Sequence, residues 1–209
     1  MKTNMEEMTI TTAKYLAELF HEGQTRADDV TPYIEHPKKV AELVEKFGGS
    51  DYCIALAWVH DILEESADKV KEHFHLNNVT SKSRFMLQMR DRWEHSFIFG
   101  LCKLSDHWDT DQFEIKEGMG KVAYLAELLI GSNADIVLVK LCDILANIIE
   151  SNGSRMSQEQ RYYKAIQCLK MAERKDLDKR HDELIVSIEA HYNIHKAIKE
   201  HYNNHKSRK

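Results

Sequence analysis

The sequence predicts an all-α fold, and three observations carry that expectation. Apolar residues recur at helical spacing along most of the chain, prolines occur only at 32 and 37, and glycines gather between the periodic segments. No stretch carries the alternation of a half-buried strand. Ala13, Leu16, Ala17 and Phe20 follow the i, i+3, i+4, i+7 rule, with Gly23 just past the end, which defines a first amphipathic helix. Val40, Leu43, Val44 and Phe47 repeat the rule and are closed by Gly48 and Gly49. A third helix is expected to start near Asp51, a good N-cap, and to run through "YCIALAWVHDILEE"; further helices are expected at about 84–103, 118–130, 134–150 and 157–203.

With 209 residues, 43% of them hydrophobic and 30% charged, the chain is long enough to bury one core, so a single domain over 1–209 is expected. A net charge of −5 argues against broad binding to nucleic acid or to a membrane surface and favours a compact ligand. Cys53, Cys102, Cys142 and Cys168 lie far apart with no CxxC pair and read as free thiols buried as small apolar residues. The stretch "MKTNMEEMTITTAKY" lacks the apolar segment of a signal peptide, and no run approaches the roughly 18 apolar residues that span a bilayer. A soluble, cytoplasmic protein is the expectation.

The informative segment is "AWVHDILEES", residues 57–66. Residues 52–59 are apolar nearly all round, so the third helix should be buried, yet His60, Asp61, Glu64 and Glu65 put four ionisable groups at its end. On a continuous helix His60–Glu64 and Asp61–Glu65 are i, i+4 pairs, so the four project from one sector, and imidazole and carboxylate converging there can ligate a divalent transition metal. Taken alone the segment reads more readily as a solvated helix end carrying ordinary surface charges, since an HD dipeptide is common. Two other stretches bear on the choice. His36 directly precedes Pro37, which fits the first helical position and puts His36 near an N-cap. In "NADIVLVKLCDILANII" the apolar stripe Val137, Leu138, Leu141, Leu145 and Ile148 is interrupted by Asp143 and Asn147, and a buried aspartate calls for a cation. His36, His60, Asp61 and Asp143 supply two imidazoles and two carboxylates, a mix suited to Mn, Fe or Zn with positions left for water and substrate.

The H…HD…D order resembles the HD superfamily of metal-dependent phosphohydrolases, and the surrounding residues resemble the RelA/SpoT-type hydrolase domain, which removes pyrophosphate from (p)ppGpp. "HEGQTR" (21–26) is similar to that family's HxGQxR, "PYIEHPKKVA" (32–41) to its PYIxHPxxVA, "WVHDILEES" (58–66) to its LHDxxEDT, and "LVKLCDILANI" (138–148) to its LVKLADxLxN. The order and rough spacing agree over about residues 11–165, leaving 166–209 as a C-terminal helical extension. The resemblance implies an HD-type helical bundle with a metal site between helices, holding Mn²⁺, with Fe²⁺ or Zn²⁺ as alternatives. It makes His36, His60, Asp61 and Asp143 the metal ligands. It assigns Glu64 and Glu65 to the attacking water, Asn147 to substrate or to water at the metal, Arg26 to the nucleotide and Lys140 to phosphate. Tyr162, in "EQRYYKAI", matches a family tyrosine near sugar and phosphate; core packing is the alternative for Tyr162 and Tyr163 alike.

The chain also departs from the family pattern. It reads Glu64–Glu65 where the hydrolases usually read Glu–Asp, and 82 positions separate Asp61 from Asp143, with an unfamiliar segment between them. Three readings stay open: (p)ppGpp hydrolysis, hydrolysis of another nucleotide or phosphoester through the same metal, and a nucleotide-binding sensor module of weak turnover. With no second catalytic domain and no Gly-rich phosphate loop, alarmone synthesis is not expected. In the tail "AHYNIHKAIKEHYNNHKSRK", His191/His195 and His201/His205 are i, i+4 pairs that read as a solvated basic helix end fraying after Asn203. Trp58, Trp93 and Trp108 read as core or pocket wall, since no basic stripe accompanies them.

Overall fold

A computed structural model describes residues 8–105 and 120–206, which are helical with no strand among them; the one bridge is an isolated antiparallel pair, Thr25 with Pro32. The chain divides into two compact units, Met1–Gly118 and Met119–Lys209.

The first unit is built around α3 (Asp51–Val59), which packs against α1 (Ile10–Phe20) and α2 (Glu35–Lys46). Helix α1 is capped by the Thr9 hydroxyl, which accepts from the Thr12 amide, and buries Ala13, Leu16, Ala17 and Phe20, the residues its period singled out. Helix α2 buries His36, Pro37, Val40, Ala41, Leu43 and Val44, whereas Phe47 is its half-buried C-cap. Its first residue is Glu35, so Pro37 is the third helical residue and not the first. The missing proline amide lies among the first four, which have no helical acceptor in any case. The cap of α3 is Ser50, one residue before Asp51, with its hydroxyl accepting from the Cys53 amide.

The third helix does not run on to Glu65. It stops at Val59; His60 and Asp61 form a turn, and a short helix α4 (Ile62–Glu65) follows. The cause is local: His60 Nδ1 donates to the Ala57 carbonyl at 2.7 Å, and that carbonyl is the one the residue 61 amide would use in an unbroken helix. The i, i+4 pairing expected across 60–65 is therefore not built on one continuous helix. Helices α5 (Ala67–His73), α6 (Lys82–Met89) and α7 (His95–Leu104) complete the unit. The single helix expected at 84–103 is split because Trp93, 2% exposed, turns inward edge-on to Phe74 and Phe97. Trp58 is buried as well, and Trp108 lies outside the described residues.

The second unit contains α8 (Lys121–Gly131), α9 (Ala134–Ser151), α10 (Met156–Met171) and α11 (Lys179–Lys206). Helix α10 packs on α8 and α11, and α9 packs on α11. Asn133 caps α9 by accepting from the Ile136 amide at 2.9 Å, and the stripe Val137, Leu138, Leu141, Leu145 and Ile148 is buried. The helix expected over 157–203 breaks at 172–178, where Glu173 takes a left-handed φ of 47° and Asp178 accepts from the Arg180 amide to start α11. The tail does not fray after Asn203, since α11 runs to Lys206. His195 is buried, not solvated: its Nδ1 lies 3.0 Å from Glu159, which also accepts from the Ser151 hydroxyl. Cys53, Cys102 and Cys142 are buried free thiols and Cys168 is half-buried. Among the described residues no helix is long and apolar enough to cross a membrane.

Candidate metal centre

The turn after α3 and the first turn of α2 bring three donors together in the first unit. His36 is 2% exposed, His60 1% and Asp61 8%. The Nε2 atom of His60 stands 3.0 Å from Asp61 Oδ1, that of His36 stands 3.6 Å from Asp61 Oδ2, and the two imidazole centroids are 5.4 Å apart. Because His60 Nδ1 donates to the Ala57 carbonyl, the neutral ring carries its lone pair on Nε2, facing the carboxylate. In that form two acceptors stand face to face, and a proton or a metal ion between them relieves the repulsion. Ligand atoms bound at roughly 2.0–2.2 Å to one ion stand about 3 Å apart when adjacent, which is the separation seen here. The second-nitrogen bond to a carbonyl is also the usual way a metal-binding histidine is oriented. The residues present therefore fit a divalent metal on geometry, with the His60 Nδ1 bond to Ala57 leaving Nε2 as the atom that faces the site.

A second layer surrounds them. The Tyr33 hydroxyl donates to Asp61 Oδ2 at 2.9 Å inside the protein. Burial first, and then the Asp61 and Glu65 carboxylates, push that hydroxyl far above the ordinary phenol range, so it remains a donor. His21 stacks on the Tyr33 ring with centroids 4.7 Å apart, and the Arg26 guanidinium lies 5.1 Å from the same ring centroid. Gln24 orients His21: its amide nitrogen donates to the Glu65 carbonyl at 2.9 Å and to the Ser66 hydroxyl at 3.0 Å, leaving its oxygen to accept from His21 Nδ1 at 2.8 Å. Burial holds the His21 imidazole below its ordinary pKa, so the ring is neutral. Tyr33, His21 and Gln24 were given no role from the sequence, although all three lie inside the quoted motifs. The available signal was Tyr33 at three residues before His36, one turn away on a segment leading into α2.

Arg26 sits half-buried on a loop closed by two backbone bonds, Arg26 N to Thr31 O at 2.8 Å and Tyr33 N to Gln24 O at 2.9 Å. The Asp28 carboxylate fastens the tip by accepting from the Val30 amide and from the amide and hydroxyl of Thr31. Glu64 is half-buried and Glu65 exposed on α4, directly beyond Asp61.

The remaining residues singled out from the sequence lie in the second unit. Asp143 is 5% exposed on α9, where the Lys140 ammonium stands 2.8 Å from Oδ2 and the Asn147 amide donates to Oδ1 at 2.6 Å. Lys140 thus supplies a cation to the buried aspartate from one turn away on its own helix. Tyr162 is half-buried on α10, and its hydroxyl accepts from Gln158 at 2.7 Å; Tyr163 stacks on Tyr192.

No protein-family model matches the chain, and no curated protein matches its sequence. Among solved structures the chain is similar to one described as a metazoan ortholog of SpoT that hydrolyzes ppGpp and plays a role in starvation responses. The TM-score is 0.56 and the identity 16%, over 88% of this chain and 93% of that one. The likeness is one of fold, an all-α helical bundle.

Proposed function

We propose that the chain is a metal-dependent phosphohydrolase that releases pyrophosphate from the 3′ position of (p)ppGpp. The observation that carries this reading is the buried His60–Asp61 pair, with Nε2 and Oδ1 at 3.0 Å and the imidazole proton committed to the Ala57 carbonyl. His36, His60, Asp61 and Asp143, all buried, are the proposed ligands of one divalent ion, Mn²⁺ foremost. Such an ion, when bound, lowers the pKa of a water to about 7 in favourable sites and offsets charge on phosphoryl oxygens.

The protein's own groups do the rest. Glu64, half-buried and three residues beyond Asp61, takes the proton of the attacking water, a role worth roughly 10²–10⁴-fold in rate. Glu65 orients its neighbour. Arg26, held over Tyr33, presents a planar fork that pairs with phosphate or stacks on the base, which a lysine cannot copy. Lys140 and Asn147 hold the Asp143 carboxylate in place, with Lys140 assigned also to phosphate and Asn147 to substrate; Tyr162 is assigned to the sugar and phosphate. The fold shared with a ppGpp-hydrolysing protein supports the choice of substrate.

The test is incubation of purified protein and Mn²⁺ with ppGpp and a panel of other nucleotides and simple phosphomonoesters, identifying each product. GDP and pyrophosphate from ppGpp are expected. Turnover of a phosphomonoester with ppGpp left intact removes the substrate assignment and retains only a phosphohydrolase.

A further inference from the structure

We infer that Tyr33 is a positioning residue with two separable tasks: its hydroxyl sets Asp61 as a metal ligand, and its ring seats Arg26 for the nucleotide. The inference rests on the function proposed above and adds to it what Tyr33 does for Asp61 and for Arg26. The hydroxyl lies 2.9 Å from Asp61 Oδ2, while the other carboxylate oxygen, Oδ1, faces His60 Nε2. One oxygen is thereby occupied by a donor and the other is left toward the imidazole. A carboxylate held in that way cannot rotate freely about its Cβ–Cγ bond, so its ligand oxygen is fixed before the metal arrives.

The ring is as constrained as the hydroxyl. It is 9% exposed, His21 stacks on it with an interplanar angle of 21°, and Gln24 locks His21 through the Glu65 carbonyl and the Ser66 hydroxyl. The guanidinium of Arg26, 5.1 Å from the ring centroid, rests on this fixed platform at the end of a loop that has no helix to hold it. Gln24 ties the same platform to the backbone at Glu65, immediately after Glu64. A displacement of Tyr33 therefore reaches the metal ligand through the hydroxyl and the arginine through the ring.

Two variants separate the tasks. Tyr33→Phe keeps the ring and removes the donor, so the dissociation constant for Mn²⁺, measured by titrating metal-free protein against a chelating dye, should rise roughly 10-fold or more. The KM for ppGpp at saturating Mn²⁺ should not move. Tyr33→Leu removes both features, and it should raise KM as well as weaken Mn²⁺. Tyr33→Phe with wild-type Mn²⁺ affinity overturns the hydroxyl's task and leaves the metal site standing; wild-type protein that binds no Mn²⁺ brings down both. An unchanged KM in Tyr33→Leu overturns the ring's task, and wild-type protein that leaves ppGpp intact removes that task together with the substrate. Should Tyr33→Phe fail to fold, wild-type protein carrying ¹³Cζ-tyrosine decides the first point: the Tyr33 resonance should shift when Zn²⁺ is added, and a stationary resonance counts against the inference.

Discussion

At His60 one proton decides what the side chain can do. Spent on the Ala57 carbonyl, it leaves Nε2 as a buried lone pair beside Asp61; moved to Nε2, it would make the same pair an ordinary hydrogen bond with no place for a metal. Burial of the carboxylate at 8% exposure makes the first arrangement costly without a cation. Glu64 is different in kind, because it is only half-buried and four other protein donors are proposed as the ligands of a bound ion. Glu64→Gln should retain metal content and nucleotide affinity while kcat falls roughly 10²-fold. Glu65→Gln should cost less, since Glu65 is exposed. Metal stoichiometry and single-turnover rates on both variants check this, and a fully active Glu64→Gln would take the proton transfer away from that residue. The residues of the first-unit cluster were legible because His36, His60 and Asp61 interrupt apolar or helix-initiating segments. Tyr33 was not, because its partner lies 28 positions away and no local period announces a contact made through space.

Among the elements, the helices themselves were read well and their interruptions were not. The break after Val59 is caused by a side chain taking a backbone acceptor, the break before His95 by inward packing of Trp93, and the break before Lys179 by an aspartate cap; none of these alters the 3.6-residue period on either side. The junction between α2 and α3 is a place where the backbone leaves no freedom. A Cβ added at Gly49 would lie 2.4 Å from Val44 Cγ1 and 3.0 Å from the Val44 carbonyl oxygen, which also accepts from the Gly49 amide. Gly49→Ala should cost about 1–3 kcal/mol, read from the midpoint of chemical denaturation; a midpoint equal to wild type would show that the junction yields. The loop carrying Arg26 makes a pH-dependent prediction. Hydrogen bonds from Thr31 and Val30 lower the Asp28 carboxyl from 3.8 to about 2. Between those values the folded chain binds fewer protons than the unfolded one, so stability falls as the pH drops through that window and the loop's contribution is complete above it. An NMR titration of Asp28 should give a midpoint near 2, and a midpoint near 3.8 would mean that the loop is not closed in this way.

For the whole molecule, the all-α class followed from composition and period, and it agrees with the solved structure of 16% identity that the fold resembles. The chain divides into two compact units, and no proline or glycine-rich stretch in the sequence announces that division. His36, His60, Asp61 and Asp143 are the proposed ligands of one divalent ion. The claim that these four hold it is tested most directly by the metal content of protein purified under metal-replete conditions, wild type against Asp143→Ala, measured by mass spectrometry of the elements. About one divalent transition metal per chain in the wild type and its loss in the variant are predicted; equal content in the two proteins, or none in the wild type, would contradict the claim.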